Sequence, residues 1–274
     1  MSLANKTVWV VGGVGVIGRG IARNILRSGA TVIVNSRSEE RLIRLSEDLG
    51  NPDQLITVKG SLLPGYAAKT VSETLSAAPP LDHVVAHGAV RYWGAKTDGG
   101  GYDETHSIIN PRRGIFDLDV DDFRLASSHL ASMHFSAAQL LIPRIQFSDG
   151  ASSYTFVTGD GGGHPGGARS PLAELNAHHV WGLSAALRGQ SPEGVNIREI
   201  RLRLEVNRPM EQRKAEPRER PLSSDIGKLC AGMAANPEGM DDAGMLIEVP
   251  DNETMESLLS QYCDDGIDGL EAAV

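Results

Sequence analysis

Three glycines near the start of the chain constrain its fold more than any other feature. Gly12, Gly15 and Gly18 follow an apolar run that ends at Val11, and an amphipathic run starts among them. This order is typical of a β-strand that turns tightly into an α-helix. Glycines at such a turn let the backbone approach a pyrophosphate, and unpaired N–H groups at the helix N-terminus attract its charge. The pattern therefore predicts a dinucleotide site, with a purely structural glycine turn as the alternative.

The rest of the chain alternates short β-branched runs with amphipathic runs of helical period. We expect strands at residues 7–11, 31–35, 55–59, 82–87, 153–158, 195–202 and 243–249. We expect helices at residues 17–28, 39–49, 67–76, 120–147, 171–188, 223–235 and 253–262. The alternation predicts an α/β fold of the Rossmann type, a doubly wound parallel sheet of about seven strands with helices on both faces.

The composition narrows the classes of partner. The formal net charge of −9 disfavours nucleic acid, because affinity for a phosphate backbone comes largely from Lys and Arg. The N-terminal residues pass directly into the first strand, without the apolar run of a signal peptide or a membrane span. The two cysteines, Cys230 and Cys263, are too few for a disulfide framework, and no residue set has metal-ligand spacing. We therefore expect a cytoplasmic homo-oligomer, a dimer or tetramer, that binds a small molecule and neither metal, nucleic acid nor membrane.

Two segments depart from the alternation within what we expect to be a single domain, residues 1–274. Residues 89–122 contain Tyr92, Trp93 and a run of three glycines, and residues 205–221 are dense in charge. Both leave the carboxyl ends of predicted strands, where doubly wound sheets bind their ligands. We expect them to wall a substrate site. For the second segment, a solvated loop is the alternative, because its charges alternate in sign.

The end of the second predicted strand bears on the choice of dinucleotide. A carboxylate usually holds the ribose hydroxyls there when the nucleotide has no 2′-phosphate. Ser36 occupies that place in this chain, and Arg37 can pair with a phosphate. The sequence thus favours NADP(H) over NAD(H) as the cofactor. The alternative is that Arg37 is an ordinary surface residue.

Several stretches resemble the short-chain dehydrogenase/reductase superfamily. Gly-Gly-Val-Gly-Val-Ile-Gly from Gly12 resembles its nucleotide loop, and Leu81 to Ala89 resembles Leu-Asp-x-Leu-Val-Asn-Asn-Ala-Gly. Ser61-Leu62 stands where the family commonly has Asp-Val against adenine. Together with the glycine turn, the resemblance implies cofactor contacts at Gly12, Val14, Gly15, Ile17, Gly18, Ser36, Arg37, Ser61, Leu62, His87 and Gly88.

The proton-transfer residues of that family are missing. No lysine lies between Lys96 and Lys214, and no tyrosine lies between Tyr154 and Tyr262. The family's Tyr-x-x-x-Lys pair therefore cannot stand where the fold would place it. In the family mechanism that Tyr protonates the carbonyl oxygen, and the Lys lowers the pKa of the Tyr and holds the ribose. A general acid typically contributes about 10²–10⁴-fold to the rate.

The resemblance, counted from Pro143 and from Gly182-Leu183, also implies which residues stand at the family's catalytic positions. It places Ala173 and Ala177 where the Tyr and Lys would be, and Leu130 where the active-site Asn would be. Gly159 or Asp160 stands where the family has its Ser. The side chains at the first three positions cannot transfer a proton. Either another group substitutes or the reaction needs no such acid.

Three residues are candidate catalytic groups: Thr158 and Asp160 at the end of the fifth strand, and His178 on the next helix. A carboxylate at Asp160 would stabilise a cation, which favours an imine or an already activated acceptor. Its alternative is turn chemistry beside the following glycines. Glu174 lies four residues before His178, so one could set the pKa of the other; the alternative is an exposed pair.

These features support an NADP(H)-dependent oxidoreductase of an atypical short-chain dehydrogenase/reductase type that acts on a small organic substrate. The resemblance also implies imine reduction or a cofactor-templated cyclisation in biosynthesis, because some family members that lack the Tyr do this. The rival class is a non-catalytic dinucleotide-binding sensor or scaffold. The aromatic residues of 89–122 favour the enzyme, since a sensor needs no second pocket, while the lost catalytic positions favour the sensor.

Overall fold

The computed structural model describes residues 2–88, 119–146, 152–159, 171–190, 194–204, 222–236 and 245–263, together with Phe116 and Pro192. The strands are β1 (Thr7–Val11), β2 (Thr31–Ser36), β3 (Leu55–Lys59), β4 (His83–Ala86), β5 (Ser152–Gly159), β6 (Val195–Leu202) and β7 (Leu246–Val249). The helices are α1 (Val16–Arg27), α2 (Glu39–Asp48), α3 (Ala67–Ala77), α4 (Val120–Leu141), α5 (Pro171–Arg188), α6 (Leu222–Ala235) and α7 (Asn252–Tyr262).

The seven strands form one sheet, in the order β3-β2-β1-β4-β5-β6-β7. Every pair of neighbours is parallel. The prediction of a doubly wound parallel sheet is therefore confirmed. After β3 the chain crosses to the other side of β1 and continues with β4, so the winding reverses between β1 and β4. In such sheets the crevice outside the carboxyl ends of these two strands is the usual place for a ligand.

Apolar side chains cover both faces of the sheet, because helices pack on both. Helix α1 packs on α6, and α4 packs on α5. On one face Val8, Val10 and Val85 join residues of α1 and α6 in a single buried cluster. On the other face Trp9 and Phe156 join residues of α3 and α4 in a second cluster. Among the described residues, no helix is both long and apolar enough to cross a bilayer.

Some predicted boundaries are corrected. Helix α4 ends at Leu141, not at residue 147, and a short 3-10 turn, Ile142–Arg144, follows it. Pro143 lies in that turn, and proline has no N–H with which to continue a helix. Strand β4 is shorter at both ends than the predicted 82–87. The start of the predicted 243–249 strand lies outside the described residues.

Most of the two predicted substrate-side segments also lies outside the described residues. This includes Tyr92, Trp93 and all of 205–221. Residues 120–122, the last three of the first segment, belong to α4. The expectation that these segments wall a substrate site stays a prediction.

Candidate functional site

The turn between β1 and α1 brings three backbone segments into contact. Gly12 has a φ of +78°, and a Cβ added to it would lie 1.9 Å from the carbonyl oxygen of His87. A Cβ added to Gly18 would lie 2.2 Å from the carbonyl oxygen of Gly12. The N–H of His87 also donates to the carbonyl of Val11. Because only hydrogen fits at Gly12 and Gly18, the loop after β1 closes tightly against the end of β4.

The N-terminus of α1 is open to an anion. Its N-cap, Gly15, makes no side-chain capping hydrogen bond, and the first turn contains no acidic residue. Gly15 and Val16 are exposed, and Val14 is half-buried. Helix N–H groups and the positive end of the dipole therefore face solvent beside the glycine turn. Ile17 is 7% exposed and packs in the core, so any ligand contact from it would come through its backbone.

A hydrogen-bond chain links the middle of β1 to the ends of β2 and β3. The Nε1 of Trp9 donates to the Oδ1 of Asn35 over 3.0 Å, and the Nδ2 of Asn35 donates to the carbonyl of Gly60 over 3.4 Å. Trp9 is fully buried in β1, Asn35 is the penultimate residue of β2, and Gly60 follows β3. The sequence analysis missed this chain. The hydrogen bonds of Asn35 hold the end of β2 in place, and Ser36 and Arg37 follow directly.

The end of β2 presents a cation and two hydroxyls. The N–H of Ser38 donates to the Oγ of Ser36 over 3.1 Å, and the Oγ of Ser38 caps α2 by accepting from the N–H of Arg41. Arg37 lies between them and is exposed. The next carboxylate along the chain, that of Glu39, is 3.0 Å from the Nζ of Lys59. The end of β2 therefore carries the basic side chain of Arg37 between two serines, and the nearest carboxylate in the sequence is paired with Lys59.

The two predicted cofactor-contact residues after β3, Ser61 and Leu62, have different surroundings. The N–H of Ser61 donates to the hydroxyl of Thr70 over 3.0 Å, and the Ser61 hydroxyl accepts from the N–H of Leu63 over 3.2 Å. Ser61 is half-buried at the sheet edge. Leu62 is 3% exposed and packs in the apolar core. Of the two residues, Ser61 is therefore the more accessible, and Leu62 belongs to the core.

Two histidines hold the end of β4. The Nδ1 of His87 lies 3.3 Å from the carbonyl oxygen of Val157 in β5, and the Nε2 of His134 in α4 lies 3.1 Å from the carbonyl oxygen of Gly88. Burial lowers the pKa of His87, and it lowers the pKa of His134 to about 4. Both rings are therefore neutral near pH 7. Each donates one N–H to a backbone carbonyl beside the crevice.

The structure describes two of the three candidate catalytic residues, Thr158 and His178, and their surroundings differ. The hydroxyl of Thr158 donates to the Oε1 of Glu199 over 2.8 Å, so its proton is already engaged. His178 is exposed, and its ring centroid lies 4.2 Å from that of Trp181. Asp160 and the side chain of Glu174 lie outside the described residues. Their predicted roles therefore stay predictions.

The sequence analysis did not single out Glu199, which is fully buried in β6. Besides Thr158, its carboxylate binds the Nε of Arg201 at 2.9 Å and a guanidinium nitrogen of Arg188 at 3.3 Å. Arg201 also lies 4.6 Å above the ring of Trp181. A signal was available, because two adjacent charges in a strand expected to be buried require partners. We call Glu199, Thr158, Arg188 and Arg201 the Glu199 network.

Two positions at which the resemblance led us to expect catalytic residues of the family, Leu130 and Ala177, have apolar side chains. Leu130 is 9% exposed and packs with Leu63 and Val180. Ala177 is half-buried, and its neighbour Asn176 is fully buried. Neither the Leu130 nor the Ala177 side chain can donate a proton. The described part of the chain also contains no group of three His, Cys, Asp or Glu residues that could hold a metal ion.

Comparisons with known proteins agree with this geometry. A family model described as NADP oxidoreductase, coenzyme F420-dependent, matches residues 7–77, from β1 through α3. A search of curated proteins found no match. Among solved structures, a dehydrogenase/reductase from Sinorhizobium meliloti 1021 is 17% identical with a TM-score of 0.66, over 90% of this chain and 94% of that one.

Two further solved structures contain a nucleotide. The RhlG/NADP active-site complex from Pseudomonas aeruginosa is 18% identical with a TM-score of 0.64, over 90% of this chain and 96% of that one. The 3-ketoacyl-(acyl-carrier-protein) reductase from Brucella melitensis, complexed with NADH, is 18% identical with a TM-score of 0.60, over 90% and 98%. This chain has the fold of the short-chain dehydrogenases/reductases, so the resemblance predicted from the sequence is confirmed at the level of fold.

Proposed function

We propose that this chain, which has the fold of short-chain dehydrogenases/reductases, is an NADP(H)-dependent oxidoreductase that acts on a small organic substrate without the usual catalytic residues. The observation that carries the proposal is the glycine turn. Gly12 and Gly18 leave no room for a side chain, and the uncapped N-terminus of α1 opens beside them at the point where the winding of the sheet reverses. This combination fits a pyrophosphate.

Each wall of the crevice has a role toward the dinucleotide. The N–H groups at the start of α1 would bind the pyrophosphate, with Gly15 letting the backbone approach. Ser36 and Arg37 would bind a 2′-phosphate, and Ser61 would face the adenine. His87 and Gly88 would border the nicotinamide half of the dinucleotide. When bound, the nicotinamide supplies or accepts a hydride.

The apolar positions on α4 and α5 limit the substrate class. Leu130 and Ala177 cannot protonate a carbonyl oxygen, and the hydroxyl of Thr158 is bound to Glu199. A substrate that needs no strong acid is therefore favoured, which means an imine, an already activated acceptor, or a precursor that cyclises beside the cofactor. Asp160 remains our candidate for stabilising a cation there.

Two measurements test the proposal. Titration of the protein with NADPH, followed by the quenching of tryptophan fluorescence, should show saturable binding. Incubation with NADPH and a panel of cyclic imines, iminium ions and ketones should then consume NADPH with the imines or iminium ions faster than with the ketones. Binding without consumption of NADPH by any compound would support the sensor instead. Absence of binding would contradict both.

Reversing one charge tests the choice of cofactor. Arg37→Glu should weaken NADPH binding by about 1–3 kcal/mol, because it removes a charge-assisted hydrogen bond to the 2′-phosphate, and should leave NADH binding nearly unchanged. Arg44→Glu on the outer part of α2 is the matched control, since Arg44 is exposed and pairs with Glu40. Calorimetric titration of both nucleotides checks this. Equal losses for NADPH and NADH would contradict the assignment.

We also propose that the protein is a cytoplasmic homo-oligomer, a dimer or tetramer. Phe135 on α4 is 47% exposed, and it is a large apolar side chain of the kind that an oligomer contact would cover. Sedimentation velocity over a range of concentrations measures the oligomer directly. A single species with the mass of one chain at all concentrations would contradict this expectation.

A further inference from the structure

The carboxyl end of β5 lies beside the end of β4, and so beside the crevice. The register pairs Ala86, the last residue of β4, with Phe156, so Thr158 stands two residues beyond the end of the neighbouring strand. The carbonyl of Val157 accepts from the ring of His87, which follows β4. Thr158 is 9% exposed, whereas the residues before it on β5 are 0–4% exposed. The exposure of β5 thus rises where the strand reaches the crevice.

The side chain of Thr158 shares a face of the sheet with that of Phe156, because side chains alternate along a strand. Phe156 belongs to the buried cluster that contains residues of α4 and contacts α5. These two helices carry Leu130 and Ala177, whose apolar side chains cannot make hydrogen bonds. Thr158 therefore brings a hydroxyl group to the face of the sheet on which the resemblance places the chemistry.

The partner of Thr158 decides what its hydroxyl can do. Its Oγ1 lies 2.8 Å from the Oε1 of Glu199. The same carboxylate faces Arg201 at 2.9 Å and Arg188 at 3.3 Å, and an ion-paired carboxylate only accepts hydrogen bonds. The proton of Thr158 is therefore committed to Glu199. Because a hydroxyl oxygen also has lone pairs, a ligand that binds Thr158 has to be the donor.

Glu199 does not turn Thr158 into a base. A substrate proton relayed through Thr158 would protonate Glu199 and remove the buried negative charge that two guanidinium groups share. Removing that charge is unfavourable for buried cations. Thr158 can therefore hold an N–H or O–H group without removing its proton. The reaction that suits this pair needs neither a proton donor nor a proton acceptor from it.

A protonated imine meets this requirement. Its nitrogen carries an N–H that can donate to the Oγ1 of Thr158, whereas a ketone oxygen only accepts and would face another acceptor. When the imine carbon takes a hydride, the electron pair of the C=N bond moves onto nitrogen, and the product is a neutral amine. NADPH is oxidised to NADP⁺ in the same step, so no further proton is needed.

We propose that Thr158 binds the N–H of a protonated imine, and that Glu199 is the positioning residue that makes the oxygen of Thr158 an acceptor. The inference rests on the proposed function and narrows its substrates to protonated imines. It also gives the Glu199 network a role in recognition, because the network commits the only proton of the Thr158 hydroxyl.

Two substrates that differ in one group test the hydrogen bond. The imine of the panel that the wild type reduces fastest is compared with the N-methyl iminium ion of the same ring, for instance dihydroisoquinoline with N-methyldihydroisoquinolinium. At a pH where the imine is protonated, both are cations, but only the imine carries N–H. The wild type should have the higher kcat/KM for the imine. In Thr158→Val this kcat/KM should fall about tenfold, the loss of one hydrogen bond to a charged group, with little change for the N-methyl ion.

Two further variants separate the hydrogen bond from an effect on folding. Thr158→Ser keeps the hydroxyl and should keep the preference for the N–H compound. Thr155→Val removes a buried hydroxyl of the same strand that points to the other face of the sheet, and it should leave the preference unchanged. The dissociation constant of NADPH should equal that of the wild type in all three variants, which shows that they fold.

The role of Glu199 has its own test. In Glu199→Met nothing accepts from Thr158, so the hydroxyl can donate, and the rate with ketones should rise relative to the rate with imines. Glu199→Gln, whose amide oxygen can accept, should restore the preference for imines. A preference that is the same in the methionine variant as in the wild type, or that the glutamine variant does not restore, would overturn the positioning role.

The comparison in the wild type does not depend on any variant. Equal kcat/KM values for the N–H and N-methyl compounds in the wild type would overturn the inference, and so would equal losses for both in Thr158→Val. Ketones reduced as fast as imines would overturn it too, while an NADP(H)-dependent oxidoreductase would still stand. A wild type that consumes NADPH with no compound of the panel would contradict the proposed function, and the inference would fall with it.

Discussion

Glu199→Gln should lower the free energy of unfolding by about 3–5 kcal/mol, the cost of removing one partner from a buried ion pair. The Glu199 carboxylate has no exposed surface, and it faces Arg188 and Arg201, whose side chains are 13% and 15% exposed. Glutamine keeps the shape and can still accept from Thr158. It removes the buried negative charge that both guanidinium groups share. Urea denaturation without nucleotide measures the difference.

Glu248→Gln is the matched control for this experiment. Glu248 lies 3.8 Å from Arg201 and 3.3 Å from Arg203, so it makes the same type of ion pair on the neighbouring strand. Its side chain is 46% exposed, and exposed pairs contribute about 0–1 kcal/mol. Similar losses in the two variants would show that burial is not what makes Glu199 important. A loss confined to Glu199→Gln would support its role as the anchor of the β5 and β6 ends.

Gly12→Ala should lower the free energy of unfolding by about 2–5 kcal/mol, because a left-handed backbone and a steric clash act together. The φ of +78° is unfavourable for alanine, and the added methyl group would meet the carbonyl oxygen of His87 at 1.9 Å. Relief requires the glycine turn and the end of β4 to separate. NADPH binding should therefore fall as well, since the turn can no longer hold its conformation.

Gly50→Ala isolates the backbone part of this effect. Gly50 has a φ of +81°, close to that of Gly12, but nothing lies within 4 Å of an added Cβ. Its substitution should cost only about 1–2 kcal/mol, the strain of the left-handed conformation, and should not change NADPH binding. Equal stability losses in the two variants would mean that the turn yields easily. The close approach of Gly12 to His87 would then have no energetic consequence.

The architecture was predictable because local patterns agree with the global fold. Each of the seven described strands overlaps a predicted one, since β-branched runs between amphipathic runs have few other stable arrangements. The errors in the predicted strands and helices were confined to the ends of these elements. The predicted helix from residue 120 ran through Pro143, because the apolar period continues into the 3-10 turn, Ile142–Arg144. Ile145, directly after this turn, pairs with Leu81, a contact between distant residues that a local pattern does not predict.

The candidate site was predictable only in part. The glycine turn and the end of β2 can be read from consecutive residues, and the structure describes both of them. Thr158 was expected to be available for chemistry, yet its hydroxyl is bound to Glu199. That hydrogen bond joins residues 41 positions apart, and the sequence pattern of neither strand predicts it. Pairing across strands depends on register, which forms only when the sheet assembles.

The sequence by itself determined the strand and helix order, the open N-terminus of α1 and the basic residue after β2. It also determined that no lysine lies between Lys96 and Lys214 and no tyrosine between Tyr154 and Tyr262. These follow from residue types at short spacings, which local backbone preferences convert into structure. Only the tertiary structure decided that His87 lies against Gly12 with its Nδ1 bound to Val157, and that Glu199 binds Thr158 and two arginines. Such contacts depend on which strands become neighbours and which side chains share a face, and long-range packing alone sets both.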